Sequence, residues 1–328
     1  MSINGLSFND VVSNLAVSTD QGFIIYSIEN NLEKLKTFNN LGGGIGIVRM
    51  LGRSNIALLV GSAINPFKSR DIFVLWDSIK KESILEIDMK EVVKNVLINK
   101  THLFAILEKK ICLFDWRGRF IESKMTFLND KGICVMNTNA DTIATLGTNK
   151  GEVAIWKYGT DTYKIIKAHL TGVDAIALNA NGSYIATASE TGTLVRVYNV
   201  ETESKEYEFR RGSNYASVYD ICFNHDTTLL ACCSSNGTVH IWDLYNEAES
   251  TKNVQSRLST FKGYLPQYFS SEWSMKQVNL SDTSRAVCEF DKNNDLHIVT
   301  YDGNYFKVAG RTGEFANVAS GNLHINNK

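Results

Sequence analysis

Five times along the chain an apolar stretch, a polar turn ending in glycine and a second apolar stretch ending near an aromatic follow one another. They are NLAVSTDQGFIIYSI (14–28), TIATLGTNKGEVAIWKY (142–158), YIATASETGTLVRVYNV (184–200), LLACCSSNGTVHIWDL (229–244) and LHIVTYDGNYFKV (296–308). Each reads as a β-hairpin whose glycine supplies the positive φ of the turn. Two less regular copies, RDIFVLWDS (70–78) and KKICLFDWR (109–117), fill the gap and bring the count to seven. Trp76, Phe114, Trp156, Tyr198 and Trp242 are separated by 38, 42, 42 and 44 residues, near the roughly 40–45 residues of a four-stranded propeller blade. Upstream of the later hairpins, VDAIALNANGS, VYDICFNHDTT and RAVCEFDKNND each read as one more strand and its turn. The repeats predict an all-β fold: a seven-bladed, WD-repeat-like β-propeller of four-stranded antiparallel blades, occupying 1–328 as a single domain.

Charge and cysteine usage narrow the function. With 34 basic and 35 acidic residues the net charge is −1, so no global field favours nucleic acid and any anion must be held locally. Six cysteines form no CxxC pair, and Cys232 and Cys233 are adjacent, which suits reduced thiols in an intracellular protein. The start MSINGLSFND lacks a signal pattern, and the longest apolar run, IALLVGSAI (56–64), is too short to span a bilayer. A cytoplasmic protein is expected. No GxSxG, P-loop or HExxH motif points to an enzyme. GGGIGIV (42–48) lacks the GxGxxG order and reads as a joint between blades. The six histidines, at 102, 169, 225, 240, 297 and 324, make no spaced ligand set, so neither metal nor other cofactor is expected.

One short stretch stands out against this even background. YEFRRGSN (207–214) follows the fifth hairpin and should form the last strand of blade five. Side chains alternate along a strand, so Arg210 is predicted to face one neighbouring cleft and Arg211 the other. Two residues before the closing aromatic, the first four units carry Ile24, Val74, Cys112 and Ala154, whereas units five and six carry Arg196 and His240. The turns of those two units also offer Ser189 with Thr193 and Ser234 with Thr238. Guanidinium, imidazole, hydroxyls and turn amides suit a phosphate, on which arginine can fork two hydrogen bonds. The sequence therefore predicts one polar constellation built twice, on either side of FRRG. The alternative is a solvated strand end with ordinary ion pairs.

FRRG, with ATASETGTLVRVY before it and SSNGTVHIW after it, resembles the PROPPINs, β-propellers that bind polyphosphoinositides; GGIGIVRMLGRSNIALLVG (43–61) and YLPQYFSSEWS (264–274) look like two further stretches of that family. The resemblance runs from about residue 5 to 310. It implies recognition of phosphatidylinositol 3-phosphate and phosphatidylinositol 3,5-bisphosphate at two rim sites, in autophagy and endolysosomal membrane traffic. Carried over by motif, the first site would use His169, Ser189, Thr193, Arg196 and Arg210, and the second Arg211, Ser234, Thr238 and His240. Family members often carry another polar or basic residue shortly after FRRG, where this chain has Ser213, Asn214 and Tyr215. If both histidines meet phosphate, binding should strengthen as pH falls through their ordinary value of about 6.5.

The insertion at 245–274 supplies the one helical pattern. Val254, Leu258, Phe261 and Leu265 form an apolar stripe ended by Pro266, flanked by Arg257 and Lys262. Such a helix suits either the interfacial layer of an anionic membrane or packing on the propeller. The resemblance favours membrane insertion, and with it a monomeric protein peripherally attached to phagophore or preautophagosomal, endosomal or vacuolar membranes. The loop SAINPFKSRD (62–71) is the candidate contact for a protein partner, which in the family is an autophagy-related lipid-transfer protein. A protein-interaction scaffold without lipid recognition is the competing reading.

Overall fold

The computed structural model describes residues 1–29, 32–137, 141–244, 272–280, 283–310 and 317–323. Alternating apolar strands separated by turn residues produce seven antiparallel sheets. Blade one pairs β1 (Ile3–Phe8), β2 (Asn14–Thr19), β3 (Gly22–Ser27) and β4 (Glu33–Asn39), and blade two β5 (Ile45–Met50), β6 (Ile56–Gly61), β7 (Ile72–Asp77) and β8 (Glu82–Asp88). Blade three comprises β9 (Asn95–Ile98), β10 (His102–Ile106), β11 (Lys110–Asp115) and β12 (Phe120–Met125), and blade four β13 (Cys134–Asn137), β14 (Thr142–Leu146), β15 (Glu152–Lys157) and β16 (Tyr163–Lys167). Blade five begins with β17 (Val173–Leu178), β18 (Tyr184–Ser189), β19 (Leu194–Asn199) and β20 (Lys205–Arg210), and blade six with β21 (Val218–Phe223), β22 (Leu229–Ser234) and β23 (Thr238–Asp243). After the insertion come β24 (Glu272–Trp273) and β25 (Lys276–Asn279), then blade seven with β26 (Ala286–Phe290), β27 (Leu296–Thr300), β28 (Asn304–Val308) and β29 (Asn317–Asn322). The fold is an all-β seven-bladed propeller, and every predicted hairpin is a pair of middle strands in its blade.

Contacts group the chain into two compact units, 1–134 with 299–306 and 320–328, and 135–298 with 307–319. In the first, Phe23, Val48, Leu59 and Trp76 share one core, and Leu58, Phe73, Leu103 and Phe114 another. In the second, Ala186, Val197, Phe209, Leu230 and Trp242 are packed together. The closing aromatics Trp76, Phe114, Trp156, Tyr198 and Trp242 are all buried. Removing such a side chain from water contributes roughly 1.5–3 kcal/mol, so the repeat spacing tracks the positions that stabilise each blade.

Two hairpin glycines do more than reverse the chain. Gly151 and Gly192 have φ of 81° and 62°, a conformation that costs other residues. A Cβ on Gly151 would also lie 2.0 Å from the carbonyl oxygen of His169, and one on Gly192 1.8 Å from that of Ala216. Glycine thus lets the connections between successive blades lie directly on the hairpin turns. The run 42–48 has the same logic. It joins blades one and two, and a Cβ on Gly43 would meet the backbone of Pro66 at 2.5 Å.

Blade five departs from the expected four strands. Its sheet continues past β20, because β24 pairs parallel to it, Phe209 opposite Glu272 and Arg210 opposite Trp273. FRRG is therefore covered along its edge rather than outermost. The fourth strand of blade six is β25, paired with β23. The chain thus leaves β23, runs through the insertion, and is bound to both blades on its return. Val254, Leu258, Phe261 and Leu265 lie outside the described residues.

Candidate anion-binding pockets around FRRG

The register of blade five separates the two arginines. Arg196 is the cross-strand partner of Glu208, and Arg210 that of Leu194, which puts Arg196, Glu208 and Arg210 on one face. The opposite face carries Phe209, stacked on Trp242 of blade six with ring centroids 5.4 Å apart. Arg211 lies just beyond the end of β20, and its amide donates to Thr193 O at 2.9 Å. Both arginines are 3% exposed.

On the first face Arg196 is fixed from two directions. Its Nε donates to Glu208 Oε2 at 2.9 Å and its Nη1 to the carbonyl of Ala168 at 2.7 Å. Lys205 Nζ reaches the same Glu208 oxygen at 2.8 Å. This charge sharing outweighs burial and holds the Glu208 carboxyl below its usual range. Beside Arg196, His169 shares a 3.0 Å hydrogen bond with Thr187 Oγ1. Arg196 and His169 line a cleft of about 210 Å³ with Lys150, Glu152 and Lys167. Ser189 is buried and bonded to Thr191 Oγ1 at 2.8 Å. The cleft gathers four basic side chains around one carboxylate, and Lys150 is itself paired with Glu190 at 3.3 Å.

The second face is held differently. Arg211 Nε donates to Gly192 O at 2.7 Å, and its Nη2 donates to Asn214 O. Two backbone carbonyls replace the carboxylate that Arg196 enjoys, and burial pushes the guanidinium's pKa down. Across the cleft His240 is buried, stacked on Trp242 at 5.7 Å, with Nδ1 3.1 Å from Ser274 Oγ and Nε2 3.4 Å from Thr238 Oγ1. Ser234 Oγ donates to Thr238 O at 3.4 Å. Both ring nitrogens of His240 already have hydroxyl neighbours.

Two sequence expectations change in detail. Ser189 and Ser234 are equivalent, opposite Val173 and Val218 respectively. Thr193 and Thr238 are not, because the blade-five turn is one residue longer: Thr238 opens β23 whereas Thr193 precedes β19. Both threonines still follow the turn glycine. The histidine pH window also moves. Burial, then the Arg196 charge, lowers the His169 pKa to about 4, and burial, then Arg211, lowers that of His240 to about 4. Both rings are therefore neutral at pH 6.5 in the ligand-free protein, and binding strengthens as pH falls only if the bound phosphate raises these pKa values. Glu208 and Ser274 join the two faces without standing out in the sequence pattern. Glu208 was discoverable, being two residues from Arg210 and so on its face. Ser274 reaches His240 only across the insertion, and no local pattern marks it.

A sequence model of the PROPPIN family matches residues 2–309. SVP1-like protein 2 of Schizosaccharomyces pombe is 30% identical over 294 residues, covering 86% of this chain and 80% of that protein. Autophagy-related protein 18e of Arabidopsis thaliana is 27% identical over 312 residues, covering 93% and 83%. The crystal structure of Kluyveromyces marxianus Hsv2 matches in fold with a TM-score of 0.79 at 21% identity, covering 99% of both chains. Seven blades, the doubled polar faces around FRRG and a family match over nearly the whole chain agree, and the chain belongs to the PROPPIN family.

Proposed function

We propose that the chain recognises phosphatidylinositol 3-phosphate and phosphatidylinositol 3,5-bisphosphate through two pockets, His169, Ser189, Thr193, Arg196 and Arg210 forming one and Arg211, Ser234, Thr238 and His240 the other. As a PROPPIN it is an autophagy-related, phosphoinositide-binding β-propeller of a non-enzymatic family. The observation that carries the finer reading is the division of FRRG. Arg210 shares a face with Arg196, while Arg211 is bonded to the carbonyls of Gly192 and Asn214 and its charge lowers the pKa of His240. Two modest sites on one rigid body gain from effective concentration once the first is filled. Attachment of a monomer to phagophore or preautophagosomal, endosomal or vacuolar membranes would then be reversible and lipid-selective. The insertion at 245–274 would add apolar contact. The loop 62–71, with Ile64 83% exposed, is the proposed contact for an autophagy-related lipid-transfer protein.

Co-sedimentation with phosphatidylcholine vesicles, with and without phosphatidylinositol 3-phosphate, tests the reading. The Arg210→Thr/Arg211→Thr variant should lose lipid-dependent binding. Arg211 also holds two carbonyls, so circular dichroism must accompany that variant, and Ser189→Ala and Ser234→Ala probe the two pockets by a milder route. Undiminished binding by the folded double variant would remove FRRG from the site, and a parent protein indifferent to phosphatidylinositol 3-phosphate would leave a protein-interaction scaffold as the better reading.

A further inference from the structure

Leu170 is 100% exposed and Tyr215 69% exposed. Single exposed apolar side chains are ordinary, but these two occupy one repeated position. Leu170 stands three residues before Val173, which opens β17 opposite Ser189, and Tyr215 three residues before Val218, which opens β21 opposite Ser234. A register shift follows each valine at the same step. In the connection from β4 to β5, with the same register shift after Ile45, the corresponding residue is Gly42. Only the two connections that border FRRG, among these three, carry a large apolar tip.

Both tips are held up by the backbone beneath them. The amides of Ala168 and His169 each donate to Gly151 O at 3.0 Å, and that of Ala216 to Thr191 O at 3.4 Å. The glycine turns leave no room for these connections to sink further. Leu170 lines the same cleft as Lys150, Lys167 and Arg196. Behind Tyr215, Arg211 is bonded to the neighbouring Asn214 carbonyl. An apolar tip backed by cations matches the boundary between anionic headgroups and acyl chains, and tyrosine suits that layer through its amphipathic ring. A headgroup held in either pocket would bring its own acyl chains to the adjoining tip.

We infer that Leu170 and Tyr215 are paired membrane anchors, one beside each pocket, that enter the headgroup–acyl boundary of an anionic bilayer. The pairing with headgroup capture rests on the function proposed above, whereas insertion itself has an independent readout. All six native cysteines are buried, so Leu170→Cys and Tyr215→Cys each present one reactive thiol for an environment-sensitive fluorophore. On phosphatidylcholine–phosphatidylserine vesicles containing phosphatidylinositol 3-phosphate, emission at both positions should shift to the blue and be quenched by lipids spin-labelled near the top of the acyl chain. Leu170→Ser and Tyr215→Ser should each weaken vesicle partitioning about threefold to tenfold, the part of full burial that shallow insertion realises. Binding of soluble inositol 1,3-bisphosphate should be unchanged in Tyr215→Ser, and in Leu170→Ser, whose side chain lines the first cleft, it should fall less than vesicle partitioning does. A fluorophore that stays in water while the protein is vesicle-bound, or serine variants that partition like the parent, would overturn the inference. Insertion by a parent protein that does not bind the soluble headgroup would keep the anchors and sink the pockets instead. No vesicle binding at all would overturn both.

Discussion

The two faces of blade five meet a related problem, a guanidinium beside an imidazole, half-buried on the first face and buried on the second, by different means. Arg196 is balanced by a carboxylate shared with Lys205 and opens onto a formed cleft. Arg211 is balanced by two peptide carbonyls, and His240 opposite it is sandwiched by Trp242, Thr238 and Ser274. A carboxylate neutralises charge and competes with an incoming anion. Carbonyls satisfy donors but leave the full positive charge in place, and that charge is available to a ligand. Duplication of a sequence pattern thus need not duplicate its electrostatics.

Substitution can break this comparison. Arg211→Lys has the largest expected effect, about 3 kcal/mol of unfolding free energy, because an ammonium cannot reach both carbonyls and leaves buried acceptors unmet. Arg196→Lys keeps its ion pair and should cost about 1 kcal/mol. Equal urea midpoints for the two would erase the distinction. Glu208→Gln comes next, at about 2 kcal/mol, since it strips a largely buried carboxylate from two cations; a loss below a few tenths would show that the network is merely superficial.

Acid sharpens the contrast through the histidines. A ring with pKa about 4 folded and about 6.5 unfolded binds protons preferentially in the unfolded chain between those values. Its contribution is present above pH 6.5 and is lost progressively as pH falls toward 4. Asp220 opposes this, because burial pushes its carboxyl up to about 8 and its cost grows as pH rises from about 4 to 8. On going from pH 7 to 5, His240→Gln should gain about 1–2 kcal/mol of stability relative to the parent. His169→Gln should do less, since His169 is only half-buried and solvent screens its shift. Urea unfolding at the two pH values measures both, and a larger effect at His169 would invert the ranking. Ser274→Ala is the smallest, below about 1 kcal/mol for one lost hydrogen bond, and should raise the accessibility of His240 to diethyl pyrocarbonate.

Most of the fold was legible because it rests on periodicity. Strand alternation, turn glycines and closing aromatics recur in five units, and the spacing of the aromatics Trp76 and Phe114 places the two less regular ones between them. The assignment of Arg210 and Arg211 to opposite faces followed from the same alternation. What escaped the sequence depends on residues distant along the chain or on small offsets. β24 is two residues long and has no period to read. The extra residue in the blade-five turn is invisible beside the shared Gly-Thr pair. The depressed histidine pKa values come from burial against Arg196 and Arg211, neither of which neighbours its histidine in sequence.

The parallel pairing of β24 with β20 bears on colloidal behaviour. An uncovered outer strand offers a row of free amides and carbonyls to any other extended chain, including another copy of itself. Glu272 and Trp273 occupy part of that row at Phe209 and Arg210, so the strand that carries FRRG is closed at that point to edge-to-edge association. The capping segment is also the return of the 245–271 excursion. Lengthening such an excursion costs little, about 0.6 kcal/mol per doubling, so insertions there can vary in length while the same two-residue clasp keeps the blade edge from aggregating.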